Sequence, residues 1–538
     1  MAAKLLIALA LICAPGLALA QTAPSRVVPP NRPDQTAPPR APRGGTPPAP
    51  PAAAATPQVQ PFLLRSVAVA GSSLPPAQLE AGYRPFIGRT VGVAELQQIA
   101  DAVAGVYGGS DIALYTILVP DQTFEGGRLE LTAVEGYVEA VTIHGEPGRA
   151  RGLAQSYLRR LEGQRPLKRS TLQRSISLVR DIPGLTSDVQ LQNGGQPGAV
   201  RVAATLDHRP VQFGLAVNNR GTAFLGRTQV QADVYFNSLL RPGDQTRLTY
   251  ATPTRPRRFQ FYALGHSQPL NADGATLQVN AIALRTRPKD TALLGHAYSA
   301  GVQVTHPIIR SFDRDLSVGL GLDGVDSDNA FFGFTFSDDR TRALRLSLAY
   351  SRSTDRSLFG ASGAVSRGIA GLGARATVPE ASRLDFTKAN GRLTFNRTLA
   401  QPITLRLTGA GQYTGDRLPA SEQFALGGEE FGRAFEASFI AGDYGYGAVA
   451  ELAWRPPAPV SLAGSEAYVY VDSGKVWYRG RFDLPTQSAR LSSAGGGVRV
   501  VVASRAIVQL EATKALTNPI PALDRSDWRG VFNIRTLF

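Results

Sequence analysis

Five histidines, one cysteine and one methionine are all that the 538 residues offer for imidazole or soft-ligand chemistry. The histidines are scattered, with no pair at i and i+4, so no zinc or other metal site is predicted. Gly221 to Thr228, GTAFLGRT, has the glycine spacing of a phosphate loop with Arg227 in place of lysine. Such a loop needs a strand before it and a helix after it. Here an alternating strand lies on each side, and a hairpin connection is predicted instead. Asp472 to Lys475, DSGK, fails in the same way. No G-x-S-x-G elbow is present. Glu429 and Glu430 are adjacent, have no partner at glycosidase-like spacing, and read as solvated. No catalytic residue, cofactor or nucleotide is predicted, and the chain is not read as an enzyme. One stretch stays unexplained. LGGEEFGRAF (residues 426–435) is a glycine-rich loop with one arginine, Arg433, held between Gly432 and Ala434 and closed by Phe435. Its guanidinium either binds a carboxylate or points into solvent.

The elements that would position this loop begin with targeting. Residues 1–20 read as a secretory signal: Lys4, an apolar run from Leu5 to Ala14, and an Ala18-Leu19-Ala20 cleavage site. The one cysteine, Cys13, lies inside it, and Ile12 before it departs from a lipobox. The mature chain is therefore expected to be exported without cysteine, so neither disulfides nor thiolate chemistry enters. No later apolar run reaches about 20 residues, which removes a membrane-spanning helix. A mean hydropathy near zero suits a soluble protein or a β-barrel. The net charge of +15 reads as arginine-rich solvated faces. With no basic-aromatic cluster and with export, no nucleic-acid partner is expected.

The length predicts two to four domains. Residues 21–60 form a proline-rich linker, an extended spacer unable to bury a core. Its prolines also preclude a long helix there. Residues 61–136 read as strand, two helices and two strands. The first strand is expected over FLLRSVAVAG, and Thr90 is expected to cap a helix carrying Val93, Leu96, Ile99, Val103 and Tyr107 on one face. Residues 137–209 repeat the pattern, a period of roughly 75 residues that points to two copies of one module. From Pro210 to residue 538 the texture becomes strand after strand. In TQVQADVYF, Val230, Ala232, Val234 and Phe236 share one face. In ITLRLT, Ile403, Leu405 and Leu407 oppose Thr404, Arg406 and Thr408. About 16 such segments follow one another, roughly 20 residues apiece with their connections, as outer-membrane barrels need. A soluble sandwich also alternates; number, length and the export signal favour the barrel. If Val469 and Val471 face lipid, Tyr468, Tyr470 and Asp472 face the lumen, and Glu451 in AVAELAW faces inward too. The last strand places Gly530, Phe532, Ile534 and Phe538 on one face. An alternating strand closed by an aromatic resembles the signal by which outer-membrane barrels are recognised for assembly.

LVRDIPGL and GGQPGAVRV in the second module, LLRPGDQTRLTYA in an early hairpin, LGGEEFGRAF and YVDSGKV together resemble the outer-membrane transporters of two-partner secretion, within the superfamily of POTRA-domain barrels. The resemblance covers Phe62 to Phe538. It implies a mainly β fold: a 16-stranded antiparallel transmembrane β-barrel, as about 16 segments suggest, preceded by two α+β (βααββ) POTRA domains. It implies a long loop after the eleventh strand, about residues 413–443, folded into the lumen. The loop tip of this family carries an arginine-glycine-phenylalanine motif, usually preceded by valine. Arg433 and Phe435 match it, while Gly432 and Ala434 stand in the places of the valine and glycine. The resemblance also implies a barrel-wall partner, Asp472 within Tyr470-x-Asp472-x-Gly474, forming a forked, charge-assisted pair with Arg433; Glu451 is a second candidate. The implied function is secretion of an unfolded exoprotein client, bound first by periplasmic POTRA domains, through a pore in the bacterial outer membrane. The implied partners are that client, outer-membrane lipid and the barrel-assembly machinery. The alternative is an insertase of the same superfamily.

Overall fold

The computed structural model describes residues 60–332, 334–503, 505–519 and 528–537. The signal segment, nearly all of the proline-rich lead and Phe538 lie outside the described residues. These residues fall into two compact units, divided near Pro210.

The first unit holds two modules of one topology. In the first, β1 (Ser66–Ala70), α1 (Pro76–Tyr83), α2 (Val93–Gly109), β2 (Tyr115–Leu118) and β3 (Arg128–Glu135) follow in order. β3 is central, parallel to β1 and antiparallel to β2. Leu96, Ile99, Val103 and Tyr107 of α2 are buried with Leu129 and Leu131 of β3 in one core. The expected first strand is broken, because Phe62–Leu63 pairs with Thr90–Val91 instead. Thr90 is thereby held in a strand and does not cap α2. Gly92 takes that place, and the Glu95 side chain accepts its N–H at 2.8 Å. The second module repeats the order with β4 (Tyr137–His144), α3 (Arg151–Leu158), α4 (Arg169–Arg180), β5 (Leu185–Asn193) and β6 (Ala199–His208), with β6 central.

The modules cap each other's helices. The Asp111 carboxylate, from the first, accepts the Ser170 N–H at 2.9 Å and the Ser170 hydroxyl at 2.8 Å. It serves the first turn of α4, where the Lys168 side chain offers no acceptor. In return, the Arg169 guanidinium donates to the carbonyl of Gly108 at 2.7 Å, at the end of α2. Each charge sits at the helix end whose dipole favours it.

The second unit is a closed barrel of 16 antiparallel strands. In chain order these are β7 (Val211–Asn218), β8 (Gln229–Asn237), β9 (Gln245–Pro253), β10 (Phe259–Pro269), β11 (Thr276–Thr286), β12 (Leu293–Arg310), β13 (Arg314–Phe331) and β14 (Phe334–Ser353). Then come β15 (Ser357–Gly368), β16 (Thr387–Ala400), β17 (Ile403–Thr414), β18 (Tyr444–Trp454), β19 (Glu466–Tyr478), β20 (Gln487–Val502), β21 (Ala506–Ala515) and β22 (Trp528–Leu537). β22 closes on β7, with Asn533 to Leu537 paired against Asn218 to Gly214. Alternation sorts the wall as a barrel requires. On β19, Val469 and Val471 are 60% and 50% exposed, whereas Tyr468, Tyr470 and Asp472 are 3%, 5% and 1% exposed. GTAFLGRT is the connection between β7 and β8, where the Thr222 hydroxyl accepts the Leu225 N–H at 3.2 Å; no helix follows it.

Asp111→Ala is expected to cost α4 about 1 kcal/mol. Hydrogen exchange should quicken in the first turn of α4 and stay unchanged in β6.

Candidate functional site

Between β17 and β18 the chain makes a 415–443 loop that folds into the barrel. A turn at Ala420–Glu422 leads to a short hairpin, Phe424–Leu426 paired with Ile440–Gly442. The LGGEEFGRAF tip is carried at the end of this hairpin. Leu426, Phe431, Phe435, Phe439 and Ile440 are buried in one cluster with wall residues including Val449, Tyr470 and Leu491. Phe435 and Phe439 lie ring to ring at 5.1 Å. The wall is hollowed to receive them. Gly447 and Gly474 are register partners on β18 and β19. A Cβ on Gly447 would lie 2.7 Å from the Phe431 ring, and one on Gly474 would lie 2.6 Å from Leu426.

Asp472 meets the tip through the main chain. Its carboxylate accepts the N–H of Gly432 at 2.8 Å, the N–H of Arg433 at 3.2 Å and the Ser493 hydroxyl at 2.7 Å. A buried carboxylate needs such donors. Two successive N–H groups converge on it because Gly432 has φ +77°, the left-handed region open to glycine. A Cβ there would also lie 2.5 Å from Leu491 Cδ1. The forked Arg433–Asp472 side-chain pair is therefore not formed. The turn that presents the two amides sends the guanidinium elsewhere.

That guanidinium lies over the Tyr470 ring, with Cζ 4.3 Å from its centre, and donates to Glu451 Oε2 at 3.0 Å. Glu511 is 3.6 Å away. It joins a girdle of luminal charges. Arg406 donates to Glu451 at 2.8 Å and to Glu466 at 2.7 and 2.6 Å. Arg499 donates to Glu451 at 2.7 and 2.8 Å and to Glu466 at 2.8 Å. Glu511 takes Arg220 at 2.9 Å and the Tyr468 hydroxyl at 2.8 Å. Glu451 thus keeps two other guanidiniums whether or not Arg433 is present. The Arg433 Nε has no hydrogen-bond partner among the described residues.

The loop's two roots are clamped separately. Glu422 binds Arg345 at 3.0 Å and Lys388 at 2.8 Å, and Arg345 also pairs with Asp323. Asp443 binds Arg481 at 2.8 and 3.0 Å and accepts the N–H groups of Leu418 and Arg479, each at 2.7 Å. The adjacent acids are not merely solvated: Glu429 pairs with Arg535 at 2.7 Å, and Glu430 pairs with Arg392.

Gly432, Arg433, Ala434, Phe435, Glu451, Tyr470, Asp472 and Gly474 therefore lie together. Gly530, Phe532 and Ile534 lie apart from them, on the outer face of β22. Sequence reasoning missed Ser493, Glu466, Arg499, Glu511, Glu422, Arg345, Lys388 and Asp443. Most are charged residues at inward positions of alternating strands, and that parity was the available signal.

Comparison with known proteins gives this arrangement a context. Residues 199–500 match the family model described as haemolysin secretion/activation protein ShlB/FhaC/HecB. Residues 62–136 match the ShlB-type POTRA domain. The chain is 24% identical over 462 residues to the outer membrane transporter CdiB of Dickeya dadantii strain 3937, covering 80% of this chain and 78% of that one. It is 21% identical over 463 residues to the heme/hemopexin transporter protein HuxB of Haemophilus influenzae strain 86-028NP, covering 82% and 80%. Among solved structures, CdiB from Escherichia coli superposes with a TM-score of 0.73 at 18% identity, covering 97% of this chain and 95% of that one.

Gly432→Val is expected to strain the tip by about 1–3 kcal/mol, since a branched residue disfavours positive φ. Trypsin should then cleave after Arg433 in the folded barrel while sparing the wild type.

Proposed function

The chain belongs to the haemolysin secretion/activation protein (ShlB/FhaC/HecB) family, and on that premise we infer how its lumen loop serves export. The protein is an outer-membrane translocation pore of the two-partner secretion type. Its POTRA domains stand in the periplasm, and its client is a secreted exoprotein. The ShlB-type matches to both POTRA domain and barrel favour secretion over the insertase alternative.

Client recognition is assigned to β5. Among the described residues this nine-residue strand has one neighbour, β6, so its other edge offers N–H and C=O groups to an added strand. The other outer strand of that sheet is less available. The Val141 N–H of β4 already donates to the Glu162 carboxylate at 3.0 Å. The tip of the lumen loop is assigned the switching role. Its displacement leaves Glu451 neutralised by Arg406 and Arg499, so the guanidinium contact is cheap to release. Asp472 loses two of its three donors, which favours return. Such a pair of states, biased by client, fits a pore closed at rest. Folding of the client outside is the proposed driving force, without a catalytic step, cofactor or nucleotide. Gly530, Phe532, Ile534 and Phe538 are proposed as the feature read by the barrel-assembly machinery. The apolar outer wall is proposed to meet outer-membrane lipid.

The observation that supports this reading most is a motif arginine held inside a closed barrel by wall carboxylates. Arg433→Ala is expected to lower client export at least about tenfold, the effect of ~1.4 kcal/mol. The amount of folded, heat-modifiable barrel in the outer membrane should not change. Undiminished export by that variant would remove the assigned role.

A further inference from the structure

On β11, Val279, Ala281, Ala283 and Arg285 alternate along the outer face. Ala283 lies in register between Tyr262 of β10 and Tyr298 of β12, and Ala281 lies between Leu264 and Ala300. Methyl groups between large side chains leave the wall concave. A trough of about 1220 Å³ runs here, lined by residues including Leu248, Tyr262, Leu264, Tyr298 and Val302. Tyr262 and Tyr298 are 49% and 58% exposed. Tyrosines at one level on an outer wall mark the headgroup region of a bilayer.

Above the trough stands an arc of cations. Arg285 ends the alanine column two residues beyond Ala283. The turn after β9 supplies Arg255, Arg257 and Arg258, the turn after β11 supplies Arg287 and Lys289, and the turn after β7 supplies Arg227. These turns are tied to one another. The Arg287 N–H donates to the Arg258 carbonyl at 2.8 Å, the Lys289 N–H to that of Phe224 at 2.9 Å, and the Thr254 N–H to that of Thr228 at 3.3 Å. Arg227, Arg255, Arg257, Arg285 and Arg287 are exposed. Among the described residues, none of the six guanidiniums has a carboxylate partner. The nearby acids are already engaged: Asp290 by Lys289 at 3.2 Å, and Asp328 by His296, the register partner of Arg285, at 3.2 Å. The contrast lies on the trough's far side, where Asp326 and Arg342 line it. There the rim charges are paired, Arg342 with Asp326 at 2.6 Å and Arg340 with Asp338 at 3.3 Å.

We propose that this arc and trough form a binding site for a phosphorylated lipid of the outer leaflet. An acyl chain lies along the Ala281–Ala283 column, and a headgroup phosphate is held by Arg285 with the arginines of the adjoining turns. A guanidinium matches phosphate through paired, charge-assisted bonds, and clustered basic residues at a membrane surface select anionic headgroups. Like charges gathered without counter-charge repel, and a phosphate relieves that repulsion. The turns after odd-numbered strands lie opposite the end where residue 210 begins the barrel. With POTRA domains in the periplasm, that far end faces the cell exterior. The proposal rests on this outer-membrane placement and not on the client or the lumen loop.

The test uses the full mature chain in non-ionic detergent, exchanged with bisphosphorylated lipid A and read by native mass spectrometry. Wild type should retain one lipid A per barrel, at least about tenfold more tightly than dephosphorylated lipid A. Replacing Arg255, Arg257, Arg258, Arg285 and Arg287 together by glutamine should abolish that preference. Ala281→Phe with Ala283→Phe, which fills the trough, should weaken retention of both lipids. Heat-modifiable migration verifies that each variant is folded. Equal retention of lipid A by the glutamine variant, or of both lipids by wild type, would overturn the proposal. No retention at all would also overturn it. Export measured on the same variants reports separately on the secretion reading.

Discussion

The backbone of the lumen-loop tip is arranged around one carboxylate. Asp472 sits on the wall, almost wholly buried, and takes its donors from the main chain of a loop that began outside the strands. Removing a carboxylate from water costs several kcal/mol unless it is well bonded. Without the tip, Ser493 alone of the observed donors remains. The loop's position is thus enforced by the wall's need for partners as much as by the tip's own apolar contacts. Main-chain bonds fix the tip's backbone and leave the Arg433 side chain free to act on something else.

That separation of tasks shapes the electrostatics. The carboxylates of Glu451, Glu466 and Glu511 are shared among Arg220, Arg406, Arg433 and Arg499, so the girdle tolerates the loss of one guanidinium. The root clamps at Glu422 and Asp443 are different. Each is a buried ion pair whose breakage orphans charge, a loss of about 3–5 kcal/mol. A loop with clamped roots and a tip held by two main-chain bonds can release the tip without leaving the barrel. Glycine at 447 and 474 lets Phe431 and Leu426 seat closely against the wall, with no side chain of those positions in their way.

Much of this was legible in the sequence, and the limits have physical causes. A period of two along each strand gives the face of every residue, so Tyr470, Asp472 and Glu451 could be placed inward without coordinates. The repeat of helices and strands gave the paired modules. Period alone does not say which inward residues meet across a lumen, and so the Glu451 girdle and the Arg345–Lys388–Glu422 clamp were missed. The Arg433–Asp472 side-chain pair failed for a local reason. The positive φ of Gly432 turns two amides toward Asp472 and the side chain away from it. Thr90 failed as a cap because a two-residue pairing with Phe62–Leu63 claimed it first.

The central claim is that Asp472 holds the loop tip in the lumen. Cys13 is the one cysteine of the sequence, so with Cys13→Ser spin labels attach only at Ala437→Cys on the tip and Val460→Cys on the exposed β18–β19 connection. Electron–electron resonance then reads the distance between them with Asp472 intact and with Asp472→Ala. A single narrow distance that broadens and shifts on substitution is the predicted result. The same narrow distance in both proteins would contradict it.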